Sequence, residues 1–261
     1  MRLSSANINV MVKACRKAAK PLIRDFGEIE NLQVSIKGPG DFVTASDKKV
    51  EKILIEEFEK ARPNYSILSE ETGEINNDES FKWIIDPIDG TANFMHGIPH
   101  FAISIGLEHN KEIICGIIYD PIKDEMFLAE KGNGSYLNNQ RMRVSSRSKL
   151  KDCIIFTGGP KRESKDIDLA LAEYKNFSSK IHIPIRKLGS ASLDIAYVAA
   201  GRCDGFFQRN LKYWDIAAGI VLVKEAGGFV TDFNGENEYI QNKTILATNS
   251  KIKNEMIEVL R

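Results

Sequence analysis

A run of six short apolar segments between residues 65 and 137 constrains the fold of this chain more than any other feature. Short turns rich in Gly, Asn, Asp and Pro separate the segments, which is typical of β-strands joined by tight connections. The predicted strands are residues 65–68, 83–85, 101–108, 112–119, 125–130 and 135–137. Strands so closely spaced along the chain predict a sheet that is rich in antiparallel pairs.

Two predicted helices precede this stretch, and an alternation of strands and helices follows it. Apolar residues recur at helical spacing over residues 7–26 and 47–62, which predicts two amphipathic helices. After residue 152 strands alternate with helices. The predicted strands are 154–156, 181–185, 205–207, 229–232 and 244–247, and the predicted helices are 166–178, 191–200, 214–225 and 253–260. We therefore expect an α/β (α+β) fold.

The charge pattern argues against a protein whose main task is to hold nucleic acid. Lys and Arg number 36, Asp and Glu also number 36, and the two signs interleave along the chain. Proteins that bind nucleic acid in bulk are usually basic overall or in one block. No stretch approaches the roughly 20 apolar residues of a membrane span. The four cysteines lack the spacing of zinc ligands. We expect a cytoplasmic protein that makes no membrane contact.

The segment Trp83–Thr91 ends an apolar strand abruptly in two carboxylates, Asp86 and Asp89. The proline between them lacks an N–H and cannot continue a central ladder, and the glycine after them permits a tight turn. Both carboxylates should therefore point from the strand end toward one spot, with the carbonyl of Ile88 nearby. Hard cations such as Mg²⁺ prefer this oxygen-only ligand set.

Each acidic residue in this set also has a purely structural explanation. Two acids three residues apart can form a turn with an Asx hydrogen bond. Asp47 and Asp215 each open a predicted helix and can act as caps. Glu70 follows the predicted strand 65–68, so it also lies at a strand end. The combination of these acids with the Trp83–Thr91 segment favours a metal site over separate structural roles.

The motifs around these acids resemble those of the inositol monophosphatase family, and in particular its bacterial-type inositol-1-monophosphatases. That family lies within the magnesium-dependent, lithium-sensitive phosphatase superfamily, which includes fructose-1,6-bisphosphatases. The two most specific motifs are Trp83–Phe94 (WIIDPIDGTANF) and Trp214–Gly219 (WDIAAG). Shorter motifs agree in order and spacing: Asp41–Asp47, Ser69–Glu71, Gly189–Ser192 and Glu225–Gly228. The resemblance spans nearly the whole chain.

The resemblance implies a layered α-β-α-β-α sandwich of the inositol monophosphatase and fructose-1,6-bisphosphatase type, usually as a homodimer. We expect one unit, residues 1–261, with subdomains 1–150 and 151–261. The resemblance also implies two or three Mg²⁺ ions per active site. Glu70, Asp86 and the Ile88 carbonyl would hold the first ion. Asp86, Asp89 and Asp215 would hold the second, and a weaker third would lie beside Glu70.

The resemblance further implies that a metal-activated water attacks phosphorus without a phosphoenzyme. Glu70 is one candidate to take the proton of that water, and Thr91, oriented by Asp47, is the other. The backbone N–H groups of Gly90 and Thr91 should meet the phosphate oxygens. The full set of substrate-binding residues that the resemblance implies is Asp89, Gly90, Thr91, Gly189, Ser190, Ala191, Gln208 and Asp215.

Gln208 departs from the family pattern, because inositol phosphatases usually carry Glu at this position. Gln can still donate and accept a hydrogen bond but lacks the negative charge. The resemblance therefore implies Mg²⁺-dependent hydrolysis of inositol monophosphate, or of a related polyol or sugar phosphate, to the alcohol and inorganic phosphate. The neighbouring Arg209 can contact a second anionic group or lie on the surface.

Three alternatives stay open at this point. The substrate can be another small phosphate: fructose-1,6-bisphosphate, histidinol phosphate, a nucleotide 3′-phosphate or NADP. Some bacterial members of the family bind RNA polymerase and transcription-elongation factors, so a contact with the transcription machinery is the alternative from another functional class. A passive metal-binding domain is the third. The complete acidic set favours retained catalysis.

Overall fold

The structure, a computed structural model, describes residues 5–28, 34–38, 41–159 and 165–261. Its helices are α1 (Ala6–Gly27), α2 (Ala45–Ala61), α3 (Thr91–Met95), α4 (Ile167–Lys175), α5 (Ala191–Ala199), α6 (Tyr213–Glu225) and α7 (Lys253–Leu260). A 3₁₀ turn covers Leu150–Asp152, and a π-helical stretch, Asn176–Ile181, continues α4. Among these described helices, none combines the length and the apolar character needed to cross a membrane.

The strands run through most of the first half and recur in the second. They are β1 (Val34–Gly38), β2 (Asp41–Thr44), β3 (Tyr65–Ser69), β4 (Gly73–Ile75), β5 (Asp78–Asp89), β6 (Ala102–His109), β7 (Glu112–Asp120), β8 (Glu125–Glu130), β9 (Gly134–Leu137), β10 (Gln140–Arg141), β11 (Ile155–Phe156), β12 (Ile185–Arg186), β13 (Gly205–Arg209), β14 (Phe229–Thr231) and β15 (Thr244–Thr248).

Two sheets organise the described residues, beside a small β1–β2 ribbon. The large sheet has eight strands in the order β10-β9-β8-β7-β6-β5-β3-β4. Its neighbours are antiparallel except β3 and β5, which are parallel. The small sheet has five strands in the order β12-β11-β13-β15-β14, with β11 parallel to both of its neighbours. The predicted antiparallel-rich first half matches this arrangement.

Helices cover both sheets and form alternating layers. On one face of the large sheet, α1 and α2 pack over β5, where the rings of Phe58 and Trp83 stack with centroids 4.4 Å apart. On the other face, α5 and α6 fill the space between the two sheets. The outer face of the small sheet is covered by α7 and the π-helical stretch, through Met256 and Phe177. The predicted α-β-α-β-α sandwich is confirmed.

Strand β5 shows why the sequence reads as a continuous apolar run at this point. Trp83 and Ile85 point into the core beneath α1 and α2, whereas Ile84 points into the core shared with α5 and α6. Successive side chains of a strand face opposite sides, so a strand buried on both faces is apolar at every position. This burial fixes the position of the strand end that carries Asp86.

A pair of glycines sets the distance between the large sheet and α6. Gly106 and Gly116 lie opposite each other on β6 and β7. A Cβ atom at Gly106 would lie 3.0 Å from the Cβ of Ala217, and one at Gly116 would lie 2.6 Å from the carbonyl oxygen of Ala218. The absence of both Cβ atoms therefore lets the α6 backbone rest directly on the sheet.

The strand predicted at residues 181–185 is wrong for most of its length. The π-helical stretch continues α4 through Ile181, and only Ile185 and the following arginine pair in the sheet. Phe177 is fully buried and stacks on Phe207 at 4.8 Å, which favours a further helical turn over extended chain. The short helix α3, directly after the acidic segment, also went unpredicted.

Candidate metal centre

Parallel pairing of β3 and β5 brings the first two acids to one edge of the large sheet. Ser69 on β3 pairs with Ile85 on β5, and the N–H of Glu70 donates to the Ile85 carbonyl at 3.2 Å. Because both strands run in the same direction, their carboxyl ends lie side by side. Glu70 and Asp86 therefore emerge next to each other.

A β-bulge lets Asp86 and Asp89 act on the same spot. In a regular strand, residues three apart face opposite sides of the sheet. Here Asp86 pairs with Ser104 and Asp89 pairs with Ala102, so three steps along β5 match two steps along β6. The extra residue turns the second carboxylate back toward the first. The N–H of Ile88 also donates to Asp86 Oδ1 at 3.1 Å. The Asx hydrogen bond considered as a structural explanation of the two acids is therefore present, and it helps to shape the acidic cluster.

Helix α6 delivers Asp215 in its first turn. The N–H of Lys212 donates to Asp215 Oδ2 at 2.8 Å, so this carboxylate does cap the helix. The Ser104 hydroxyl donates to the Trp214 carbonyl at 3.4 Å and ties the start of α6 to β6. A carboxylate has two oxygens, so capping by one is compatible with metal binding through the other.

Asp86, Asp89 and Asp215 form an acidic cluster at the meeting point of these elements. Each offers a carboxylate oxygen, and the three atoms all lie within 4.8 Å of one another. Asp86 is 1% exposed, and the other two are partly exposed. Within the described residues this is the one such group of three or more acidic, His or Cys ligands.

The electrostatics of the acidic cluster suit a bound cation. The pKa of the Asp86 carboxyl is raised well above its usual value, and burial is the first cause. The second cause is the negative charge of four neighbouring carboxylates: Glu70, Asp89, Asp215 and Asp47. A cation bound at this point would favour the ionised form of all of them.

One oxygen of Asp89 is held by the N-terminus of α5. The Ser190 hydroxyl donates to Asp89 Oδ2 at 2.5 Å, and Ser192 donates to the same oxygen from its N–H at 2.7 Å and its hydroxyl at 2.6 Å. These bonds fix the carboxylate through Oδ2, and none of the three uses Oδ1. The resemblance implied a substrate contact for the Gly189–Ser192 turn, but it did not imply this contact of Ser192 with Asp89. Its place in the turn motif was visible, but its partner lies far away in the chain.

Thr91 lies between two of the predicted site residues. Its hydroxyl is 2.9 Å from the Ile88 carbonyl oxygen and 3.4 Å from Asp47 Oδ1. A hydroxyl has one proton, so it donates to one of these acceptors at a time. Asp47 is 1% exposed, which keeps this arrangement away from bulk water.

The predicted substrate turn packs against the metal segment. Gly90 has φ +94°, and a Cβ atom there would lie 3.1 Å from the His100 carbonyl oxygen. Asn93 donates from Nδ2 to the His100 and Leu188 carbonyls at 2.7 and 2.8 Å, which anchors the chain just before Gly189. The turn that begins at Gly189 therefore has a fixed position relative to the acidic cluster.

Gln208 and Arg209 leave β13 on opposite faces. Gln208 accepts a hydrogen bond from the Gly158 N–H at 3.1 Å. Arg209 pairs with Glu173 at 2.5 Å and lies 5.0 Å from the centroid of the Phe233 ring. Arg209 is thus engaged in the outer layer of the fold, and the interpretation of it as a contact for a second anionic group loses support.

The donor set fits Mg²⁺. All candidate ligands are oxygens, three carboxylates converge, and the buried one is crowded by negative charge. No histidine or cysteine joins the acidic cluster among the described residues, which argues against zinc.

Comparisons with known proteins find relatives along nearly the whole chain. The model of the inositol monophosphatase family matches residues 5–261. An inositol-1-monophosphatase of Mesorhizobium japonicum is 47% identical over 258 residues, which cover 98% of this chain and 97% of the relative. A Nus factor SuhB of Haemophilus influenzae is 39% identical over 257 residues, with 97% and 95% covered. The crystal structure of the extragenic suppressor protein SuhB from Bartonella henselae matches with TM-score 0.95 and 50% identity, covering 98% of this chain and 99% of that one.

Proposed function

The chain belongs to the inositol monophosphatase family, and we propose that it hydrolyses inositol monophosphate, or a related polyol or sugar phosphate, to the alcohol and inorganic phosphate. The observation that carries this proposal is the convergence of Asp86, Asp89 and Asp215 within 4.8 Å. Three carboxylates repel one another unless a cation or protons neutralise them. A phosphate dianion also needs a positive charge to neutralise it. A cation bound by the three carboxylates would therefore neutralise both the carboxylates and the phosphate.

Mg²⁺ is the cofactor that this donor set suits, with two or three ions per active site. Glu70, Asp86 and the Ile88 carbonyl would hold the first ion, Asp86, Asp89 and Asp215 would hold the second, and a weaker third would lie beside Glu70. When bound, the ions neutralise the phosphate, activate a water and stabilise the leaving oxygen. Asp86 is shared by both sets, and its central position among the other acids supports this role.

The chain's own residues handle the proton of the attacking water. Glu70 is one candidate acceptor, and Thr91, oriented by Asp47, is the alternative. For Thr91 to accept, its own proton must be held elsewhere, and both the Ile88 carbonyl and Asp47 lie within donating distance. The N–H groups of Gly90 and Thr91 donate to the phosphate oxygens.

The substrate's hydroxyls are recognised by the turn at Gly189, Ser190 and Ala191 and by Gln208. The Ser190 side chain is engaged with Asp89, so this turn uses its backbone groups. The oxygen of Gln208 faces the Gly158 N–H, which directs its NH₂ group elsewhere as a donor. Gln208 therefore donates to a hydroxyl where a Glu would accept from one, and this difference changes which polyol fits best.

Phosphate release from a panel of esters tests the proposed reaction. The panel is inositol 1-phosphate, fructose 1,6-bisphosphate, histidinol phosphate, adenosine 3′,5′-bisphosphate and NADP, each with and without Mg²⁺ and Li⁺. We expect Mg²⁺-dependent release, fastest with a polyol or sugar monophosphate, and inhibition by Li⁺. Mg²⁺ binding with no release from any ester would refute the proposal in favour of a passive metal-binding domain.

A contact with the transcription machinery is a second candidate function. It is favoured by relatives that carry the name Nus factor SuhB, such as that of Haemophilus influenzae. A pull-down with RNA polymerase, repeated with Asp86→Asn, separates the two roles. Binding that survives in the inactive variant supports a contact independent of catalysis, and no binding by either form rejects it.

A homodimer in the cytoplasm completes the proposal. The four cysteines are free and buried, which suits a reducing compartment. Light scattering after size-exclusion chromatography tests the dimer, and a monomer at micromolar concentration would contradict it.

A further inference from the structure

We propose that Glu51 is a positioning residue that holds the turn Ser69–Thr72, which carries Glu70, and so sets the affinity of the site for Mg²⁺. This inference rests on the proposed function for its meaning, since it concerns a ligand of the first ion. It adds a residue from outside the predicted site, carried by α2 rather than by the strands and turns that supply the ligands.

Glu51 accepts four hydrogen bonds from residues on both sides of Glu70. Its Oε1 accepts from the Ser69 hydroxyl, from the Glu71 N–H at 3.0 Å and from the Thr72 N–H at 3.1 Å. Its Oε2 accepts from the Thr72 hydroxyl at 2.6 Å. One side chain therefore binds three of the four residues of the turn Ser69–Thr72, which we call the Glu70 turn.

Only a carboxylate of this length meets all four donors. An ionised carboxylate is an acceptor at both oxygens, whereas an amide offers one acceptor and one donor group. Glu51 is 4% exposed and Ser69 is buried, whereas Glu71 is half-buried and Thr72 is exposed, so the bond from Ser69 is the one shielded from bulk water. A donor left without its acceptor at this depth costs the full desolvation of that group.

The contrast with Glu57, two turns later on α2, shows that burial alone does not explain Glu51. Glu57 is 9% exposed and pairs with Lys13 at 3.0 Å and Lys17 at 2.8 Å, which are both on α1. That carboxylate joins two helices. The Glu51 carboxylate instead accepts hydrogen bonds from the backbone N–H groups and hydroxyls of the Glu70 turn.

One face of helix α2 contacts the surroundings of both candidate proton acceptors, Glu70 and Thr91. Asp47 and Glu51 are four residues apart, so their side chains lie on the same side of the helix. Asp47 lies 3.4 Å from the Thr91 hydroxyl, and Glu51 holds the Glu70 turn. A single rigid element therefore fixes the position of Glu70 relative to Thr91 and the acidic cluster.

The N–H of Glu70 donates to the Ile85 carbonyl at 3.2 Å, which ties the start of the Glu70 turn to β5. Loss of Glu51 would remove the acceptor of the Glu71 and Thr72 N–H groups, while β3 stays paired with β4 and β5. The expected consequence is a weaker first metal site in a chain that still folds. Groups that orient metal ligands typically contribute about 10- to 100-fold in metal affinity or activity.

The test is Glu51→Gln in the full chain, with Glu57→Gln as the matched control. Two readouts are required: the Mg²⁺ concentration that gives half-maximal phosphate release from inositol 1-phosphate, and Mn²⁺ binding followed by electron paramagnetic resonance without substrate. For Glu51→Gln we expect about a tenfold rise in the half-maximal Mg²⁺ concentration and in the dissociation constant for Mn²⁺. At saturating metal, the KM for substrate should stay within about twofold, because the substrate turn is untouched. Glu57→Gln should leave both metal readouts unchanged.

Two milder variants keep the test decisive if Glu51→Gln does not fold. Ser69→Ala and Thr72→Val each remove one hydroxyl that donates to Glu51. Each should weaken Mn²⁺ binding in the same direction by a smaller factor. Unchanged metal affinity in a folded Glu51→Gln, or in both milder variants, would overturn the proposal. If the wild-type chain releases no phosphate, the proposed function fails, and the Mn²⁺ measurement still decides the role of Glu51.

Discussion

Ser192 donates two hydrogen bonds to a single oxygen of Asp89, one from its N–H and one from its hydroxyl. Together with the Ser190 hydroxyl, they hold Oδ2 of Asp89 and leave Oδ1 out of these three bonds. The N-terminus of α5 thereby supports a proposed metal ligand that lies 103 residues earlier in the chain.

Ser192→Ala should weaken metal binding without abolishing it. The variant loses the hydroxyl bond to a charged acceptor, which is worth about 2 kcal/mol, and keeps the N–H bond. We expect the Mg²⁺ concentration for half-maximal activity to rise about tenfold. Ser135→Ala is the control, because that buried hydroxyl has no hydrogen-bond partner among the described residues. An equal response of the two variants would show that Ser192 does not support Asp89.

Gly116→Ala should damage both stability and activity. The added Cβ would lie 2.6 Å from the carbonyl oxygen of Ala218, so α6 must move away from β7. Overpacking of this kind costs about 1–3 kcal/mol. Asp215 lies in the first turn of the same helix, so its carboxylate moves with it.

Chemical denaturation and Mg²⁺ titration of Gly116→Ala measure the two effects. Gly27→Ala is a matched control, because a Cβ there meets nothing within 4 Å. A Gly116→Ala protein with wild-type stability and wild-type Mg²⁺ dependence would contradict the close approach of α6 to the sheet.

Asp194 should make the fold less stable as pH rises through about 6. Burial, the largest cause, raises the pKa of its carboxyl to about 6. In the described residues neither of its oxygens has a hydrogen-bond partner, and His100 Nε2 is 3.8 Å away. The folded state binds this proton more tightly than the unfolded state. Stability from Asp194 is therefore present below the unfolded pKa, falls between pH 4 and 6, and is lost above about 6.

Asp194→Asn removes that titration and tests its sign. A shift of about two pKa units corresponds to roughly 3 kcal/mol, so the variant should be more stable than the wild type at pH 7 by up to that amount. At pH 4.5 the two proteins should differ much less. Denaturation at both pH values measures the difference, and the same difference at both would contradict a raised pKa for Asp194.

Much of the architecture follows from local sequence patterns. The apolar runs that predict strands become the large sheet, and the strand ends at Glu70 and Asp86 are visible because charge follows an apolar run abruptly. The failure at residues 181–185 has a physical cause: burial of Phe177 keeps the chain helical through Ile181, and His182 then turns with φ +59° before Ile185 pairs in the sheet. Tertiary packing decides between two conformations that the local pattern permits.

The supports of the site are harder to read from sequence than its ligands. Glu51 and Ser192 look like ordinary helix residues, because their partners lie on distant segments. The bulge after Asp86 is equally hidden, although the proline and glycine signal an interruption. The motif indicates which acids matter, and the fold alone shows how they come to face one point.

The acidic cluster of Asp86, Asp89 and Asp215 as a Mg²⁺ site is the central claim, and Asp89→Asn tests it most directly. The amide can still accept from Ser190 and Ser192, so the fold should persist, but a negative ligand is lost. Metal ions contribute several kcal/mol to such reactions, so phosphate release at saturating Mg²⁺ should fall by about 100-fold or more. Near-normal turnover by a folded Asp89→Asn protein at saturating Mg²⁺ would contradict the account.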